Sequence, residues 1–504
     1  MNTIQIFNFI SEKTKGVYFL LVVFIIGLNS CLSDLMIENE NELDTQALQG
    51  DSLRLFAEQS YISYWQAINK PTLQLSAIVA ADQFTASWGN FAWQKISNEP
   101  RQAWDNSEFA DDDKVSENLW YDLYSALYQA NKSLELFNKG VEASNDSLKQ
   151  YMLKALCYHV QGLCLGQLGL VYDQAYIINE NNIDENSALK PYTEVVDSAF
   201  ASLQKCIDIC SKYKFTMPSN IINGLTVSNV YLKELSYSYM ARFMVLKARN
   251  ADENSKTNWA KVADYSNKGI LSDFGPMGNG LPSAGGFWYN LNYYYLVLQG
   301  YARVDNRILN LMDNRYPANY PLNEESGEAI PNDKRLSTDF QYLPSVDFLP
   351  ERGRYHFSNY RYKRFDSTIY KAIDKLVEYR AYECDLYYAE ALLRINAANV
   401  GNVVNFLIGK SSERTVRGGL TPLPTNSKVD DVLNAIFYER EIELLAQGFF
   451  VGFCDMRRRD LLQKGTPLHF PVPAKELQAQ NKTIYTFGGV ENADGVNTSI
   501  GGWK

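Results

Sequence analysis

The chain has 504 residues, 46% of them hydrophobic and 21% charged, with a formal net charge of −10. That length accommodates one large or two ordinary domains around a substantial apolar core. The acidic balance excludes nucleic acid as an expected partner, because such binding is dominated by basic groups on phosphates.

Lys13 and Lys15 precede an apolar run from Val17 to Leu28. The run falls short of the ~20 apolar residues that a bilayer-spanning helix needs, and it fits the hydrophobic region of an export signal. Leu28-Asn29-Ser30-Cys31 closes it with leucine, a small residue and cysteine in register, which resembles a bacterial lipobox. Residues 1–30 are therefore expected to be a lipoprotein signal peptide and Cys31 the lipidation site. Acyl chains on that thiol anchor a chain to a leaflet at ~0.8 kcal/mol per buried methylene. Residues 31–50 carry Asp34, Glu38, Glu40, Glu42 and Asp44 with no basic residue. A like-charged segment repels itself and extends, as a tether does.

Residues 51–504 are expected to form a single body, with a helix-pair part at 51–271, an irregular insert at 272–374 and a C-terminal part at 375–504. Helical periodicity dominates the first part. Leu119, Leu123, Leu127, Ala130, Leu134 and Phe137 share one stripe; Met152, Leu156, His159 and Leu163 share a second. Pro191 opens a third, through Tyr192, Val196, Ala199, Leu203, Ile207 and Cys210, since proline is tolerated in a first turn. Further helices are predicted at about 226–249, 258–271, 376–396 and 428–447. Small residues such as Ala126, Gly162 and Ala241 allow paired helices to approach closely, as in tetratricopeptide-like hairpins. The insert at 272–374 is dense in proline, glycine and aromatics and lacks helical periodicity. Irregular chain of that length usually carries function; a short hairpin is expected around Tyr355–Arg364.

The sequence holds seven cysteines and three histidines. Cys157 with Cys164, and Cys206 with Cys210, each fall on one helical pattern. They are open to two readings, buried thiols or pairing between neighbouring helices in an oxidising compartment. His159, His356 and His469 lie far apart, and His159 sits on an apolar stripe as a core histidine. No HExxH, CxxC, GxSxG or phosphate-loop pattern occurs. Asp111-Asp112-Asp113 and the acid at 492–495 lack the alternating calcium loop and read as solvated acid. No metal, cofactor or catalytic residue is expected.

The C-terminal third holds "YRAYECDLYYAEALLR" (379–394), "AIFYEREIELLAQGFFVGFCDMRRRD" (435–460) and "FPVPAKEL" (470–477). In their order and spacing these stretches resemble the SusD/RagB family of surface lipoproteins. Earlier, "DKRLSTDF" (333–340) and "LWYDLYSALYQAN" (119–131) are similar to further family segments, with Lys334 where the family has proline. The acidic stretch after Cys31 resembles the surface-export signal of Bacteroidetes lipoproteins. The resemblance implies a mostly α fold, a tetratricopeptide-like α/α superhelix with an irregular, loop-rich ligand-binding part and a few short hairpins. It implies a non-catalytic lipoprotein of the outer membrane, facing the cell exterior. Such a protein captures oligosaccharide, or in some members peptide, and delivers it to a SusC-like TonB-dependent transporter. The residues themselves read as structural. Arg440 shares a face with Leu433, Phe437 and Leu444, so a buried arginine needs a carboxylate partner, with Glu443, Glu390 and Asp455 as candidates. An all-α glycan-cleaving enzyme is the rival class, and it needs two carboxyls ~5–9 Å apart.

The informative excess is aromatic, with 34 tyrosines and 8 tryptophans. Sugar rings offer apolar C–H faces and a rim of hydroxyls, matching aromatic planes and amides together. Two non-periodic stretches combine these chemistries. One holds Trp88, Asn90, Phe91, Trp93, Arg101 and Trp104; the other holds Trp288, Tyr289, Asn290, Asn292, Tyr293 and Tyr294. Trp88, Asn90, Trp93, Trp288, Tyr289, Asn292 and Tyr293 are the candidate ligand-binding residues, against the alternative that each packs beneath a loop.

Overall fold

The helices α1 (Asp51–Asn69), α2 (Leu73–Ala80), α3 (Lys114–Asn138), α4 (Ser147–Val171), α5 (Tyr192–Lys212), α6 (Asn229–Leu246) and α7 (Trp259–Asn267) build the N-terminal half. Each of the three apolar stripes becomes a buried face, with only Tyr192 left half-buried. Helix starts follow local chemistry: Asp146 accepts from Leu148 N (2.9 Å) to cap α4, and Ser228 accepts from Tyr231 N (3.1 Å) to cap α6. The computed structural model describes residues 48–491 apart from 72, 87–89, 111–113, 184–186, 318–326, 345–357 and 372. Cys31, Trp88, Asp111–Asp113, His356 and the acid at 492–495 lie outside the described residues. So do the side chain of Asn90 and the signal and tether segments through residue 47.

Gln49–Lys504 forms one unit. Within it α1 packs on α3 and α4, α4 on α5, α5 on α6, and α6 on α7. Helix α4 is the centre, buried almost continuously from Met152 to Val171. Glycine allows the close approach there. A Cβ at Gly166 would lie 2.1 Å from Phe243 Cε2 of α6, and one at Gly162 2.6 Å from Leu203 Cγ of α5. His159 is fully buried, its Nδ1 2.9 Å from Ser236 Oγ. Cys157, Cys164, Cys206, Cys210, Cys384 and Cys454 are buried free thiols. Cys206 and Cys210 stand one turn apart on α5 with sulfurs 4.0 Å apart, about twice a disulfide bond length.

The C-terminal part adds α9 (Ala381–Ile395), α10 (Val400–Gly409), α11 (Val429–Ile442) and α12 (Val451–Arg457), after the short α8 (Leu291–Val297) in the insert. Helix α9 packs on α7, α10 and α11. Charged residues lock this part from inside. Arg440 pairs with Asp455 through Nε (2.5 Å), which selects Asp455 from the three candidate carboxylates. Glu390 instead grips Arg458 in two bonds of 2.8 and 2.7 Å, and Glu443 meets Arg364, Arg417 and Arg335. Arg335 of the 333–340 segment also reaches Asp333 and Glu439 (both 2.7 Å). Breaking one partner of such a buried pair leaves an uncompensated charge, so these motif residues hold the fold.

The insert is not wholly irregular. It carries α8 and strands β6 (Ala302–Val304), β7 (Phe340–Tyr342) and β8 (Tyr360–Tyr362). β8 lies in the span where a short hairpin is expected, but its partner is β7 some twenty residues upstream, with Phe340 opposite Tyr362. The other pairs are β2 (Gln174–Tyr176) with β3 (Leu189–Pro191), β4 (Thr216–Ile222) with β5 (Leu225–Ser228), and β1 (Phe84–Ala86) with β6. Among the described residues no helix is long and apolar enough to cross a membrane.

Candidate ligand-binding site

The antiparallel pairing of β1 and β6 sets Phe84 opposite Val304 and Ala86 opposite Ala302. Two chain segments far apart in sequence, and both rich in aromatics, thereby become neighbours. Just beyond β1, Phe91 and Ala92 both take left-handed backbone (φ 61° and 57°). Non-glycine residues adopt that conformation at a cost of order 1–3 kcal/mol, and such strain clusters at ligand clamps. The turn is held by α2, whose Ser76 hydroxyl donates to the Phe91 carbonyl.

This turn brings Phe91 edge-on to Tyr295 of α8, with ring centroids 5.0 Å apart. Trp93 lies beneath both, 5.8 Å from Phe91 and 6.1 Å from Tyr295. Tyr294 (5.7 Å) and Tyr301 (5.3 Å) flank Tyr295, each nearly perpendicular to it. Trp93 is fully buried, whereas Phe91, Tyr294, Tyr295 and Tyr301 are partly exposed. The result is an aromatic surface with phenol hydroxyls along it, standing on an indole floor. Burial, followed by the neighbouring Tyr301 and Tyr294, raises the Tyr295 phenol, so it stays a neutral donor and acceptor at physiological pH. Beside this surface, Trp104 and Asp105 with Lys95 and Gln102 line a second hollow of ≈ 150 Å³.

The other candidate residues sit elsewhere. Trp288 is 5% exposed and wedged against Tyr61 (6.2 Å) and Trp65 (5.8 Å). Tyr293 stacks on Phe365 at 3.6 Å, and Asn292 is buried with Nδ2 donating to Ile68 O (3.0 Å). Their faces are covered by protein and offer no plane to a ligand. Tyr289 is half-buried, and its carbonyl accepts from Trp65 Nε1 (3.1 Å). Asn290 caps α8 by accepting from Tyr293 N (3.1 Å). Arg101 is spent on Asp82 (2.7 Å). Tyr295 and Tyr301 are the residues that sequence reasoning missed. Helical spacing inside "LNYYYLV" carries the signal: Asn292, Tyr293 and Leu296 turn inward together, leaving Tyr294 and Tyr295 on the open side.

Residues 34–232 match a SusD-like family model described as starch-binding, associating with outer membrane. Over that stretch the chain is similar to the SusD-like family. No curated protein matches it, but several solved SusD-superfamily structures share its fold. One from Parabacteroides distasonis is 16% identical, with 86% of this chain and 98% of that one covered at a TM-score of 0.60. A SusD-like carbohydrate binding protein from Bacteroides vulgatus is 15% identical, covering 81% and 83% at 0.55. A superfamily member from Bacteroides thetaiotaomicron is also 15% identical, covering 82% and 91% at 0.55. At such identities the likeness is one of fold.

Proposed function

We propose that this SusD-like protein is a non-catalytic, surface-exposed lipoprotein that captures oligosaccharide and delivers it to a SusC-like TonB-dependent outer-membrane transporter. The observation that carries the binding half is the convergence of Phe91, Tyr294, Tyr295 and Tyr301 on one partly exposed surface. Planes that stack on C–H faces sit there beside hydroxyls that meet the sugar rim. Each stacked ring contributes only about 1 kcal/mol, so affinity is modest, as capture followed by release requires. The family description of starch binding and outer-membrane association supports the same reading. Anchoring is assigned to Cys31, after a signal at 1–30 and through a tether at 31–50, with residues 51–504 as the body. Titrating the purified protein with a panel of neutral oligosaccharides tests the proposal. Saturable binding of at least one glycan, with no shortening of the chain, is expected; absence of binding across the panel, or cleaved products, overturns it.

A further inference from the structure

The arginine-rich motif does more than hold α9, α11 and α12 together. Between them lies an open pocket of ≈ 380 Å³, lined by Arg394, Arg440, Arg458 and Arg459 with Glu390 and Asp430. That is within the size range of small-molecule sites, and its four arginines outnumber its two lining carboxylates in a chain whose net charge is −10. The internal pairing leaves guanidinium donors over. Arg458 is fully engaged by Glu390 and Asp455. Arg440 gives Nε to Asp455 and Nη2 to Tyr387 Oη (3.1 Å), but its buried Nη1 meets no acceptor among the described residues. Arg394 reaches Glu390 only at 3.4 Å and stays partly exposed.

Arg459 is the decisive member. Its guanidinium lies 3.7 Å over the Phe437 ring, and among the described residues it forms no ion pair. Burial and then the charge of Arg458 lower it to about 10, against the opposing pull of Glu390, Asp455 and Glu441, so at neutral pH it is a half-buried cation with no carboxylate in direct contact among the described residues. A planar guanidinium fixed on an aromatic face is preorganised to meet a carboxylate with two parallel bonds. Asp430 and Asn434 line the same pocket and supply an acceptor and an amide for hydroxyls.

We propose that this pocket is a second ligand site, which takes a carboxylate flanked by hydroxyls, the chemistry of an acidic sugar. The carboxylate meets Arg459 with Arg394 at the rim, and the hydroxyls meet Asp430 and Asn434. The site lies on different helices from the aromatic surface and does not rest on the reading of that surface.

The test is calorimetric titration of the full chain with glucuronate, and with glucose as the neutral control. Glucuronate is expected to bind saturably, glucose at least tenfold more weakly, and added salt to weaken glucuronate. Arg459→Gln should weaken glucuronate at least tenfold while its melting curve stays cooperative. Arg394→Gln, at the partly exposed rim, serves as a second variant with a smaller loss in the same direction. Equal binding of glucose and glucuronate, or an Arg459→Gln protein that binds as wild type does, overturns the inference. Absence of glucuronate binding overturns it alone, because the neutral-oligosaccharide titration reads the aromatic surface separately.

Discussion

Phe91 and Tyr295 meet edge to face, with ring centroids 5.0 Å apart and planes at 77°. The contact joins an early stretch of the N-terminal part to the insert, and it exists because β1 and β6 pair nearby. A left-handed turn at Phe91 and Ala92 lifts one ring, and α8 presents the other. Four partly exposed aromatics then form a single surface over Trp93.

The buried tryptophan of the second stretch should behave as scaffold. Trp288→Ala empties space between Tyr61 and Trp65 and is expected to cost about 3–5 kcal/mol of stability. Urea denaturation measures this. Unchanged stability together with lost glycan binding would instead make Trp288 a ligand contact.

Asp455→Ala should strand Arg440 and part of Arg458 without a partner. Removing one partner of a buried ion pair costs roughly 3–5 kcal/mol, so a loss of that order in denaturation midpoint and slope is expected. An exposed pair such as Lys256–Asp252 should change stability by less than about 1 kcal/mol when broken. Similar costs for the two would show that the buried network does not hold the fold.

Stability should depend on pH with opposite signs at two carboxyls. Burial raises the Glu390 pKa, but the Arg458 contact outweighs it and holds Glu390 at about 2. Its contribution, on the order of 3 kcal/mol, is fully present above about pH 4.5 and is lost as pH falls towards 2. Glu390→Gln should remove that acid limb. Burial pushes Asp173 up to about 6 despite its bond from Tyr485. The stability that Asp173 contributes is present below about pH 4 and lost as pH rises through 6, so Asp173→Asn should flatten that window. Thermal melts across pH 2–8 check both signs.

The amphipathic helices were legible because apolar side chains at helical spacing must share a face. α3, α4 and α5 bury the stripes read from their sequences. The choice of Asp455 over Glu443 and Glu390 is not legible in the sequence, since Glu443 lies one turn from Arg440 while Asp455 and Glu390 lie on other helices, and only the tertiary fold decides which carboxylate reaches it. The aromatic stretches were visible as composition, but not their outcome. The pairing of Phe84 with Val304 joins residues whose local sequences say nothing of each other. Local sequence leaves each loop aromatic open to ligand contact or to packing beneath a loop, and Trp288 and Tyr293 are buried because the insert folds back on α1 and on Phe365.

The anchor has its own test. Cys31→Ser should abolish incorporation of labelled palmitate and release the protein from the outer membrane. Labelling that persists in the Cys31→Ser protein would place the anchor elsewhere.

The most direct measurement is calorimetric titration of the best-bound neutral oligosaccharide against wild type, Tyr295→Ala and the double variant Tyr294→Ala/Tyr295→Ala. The account predicts a loss of about fivefold for the single variant, from roughly 1 kcal/mol per stacked ring, and a larger loss for the double variant, with melting transitions that stay cooperative. Wild-type affinity in the double variant would contradict it.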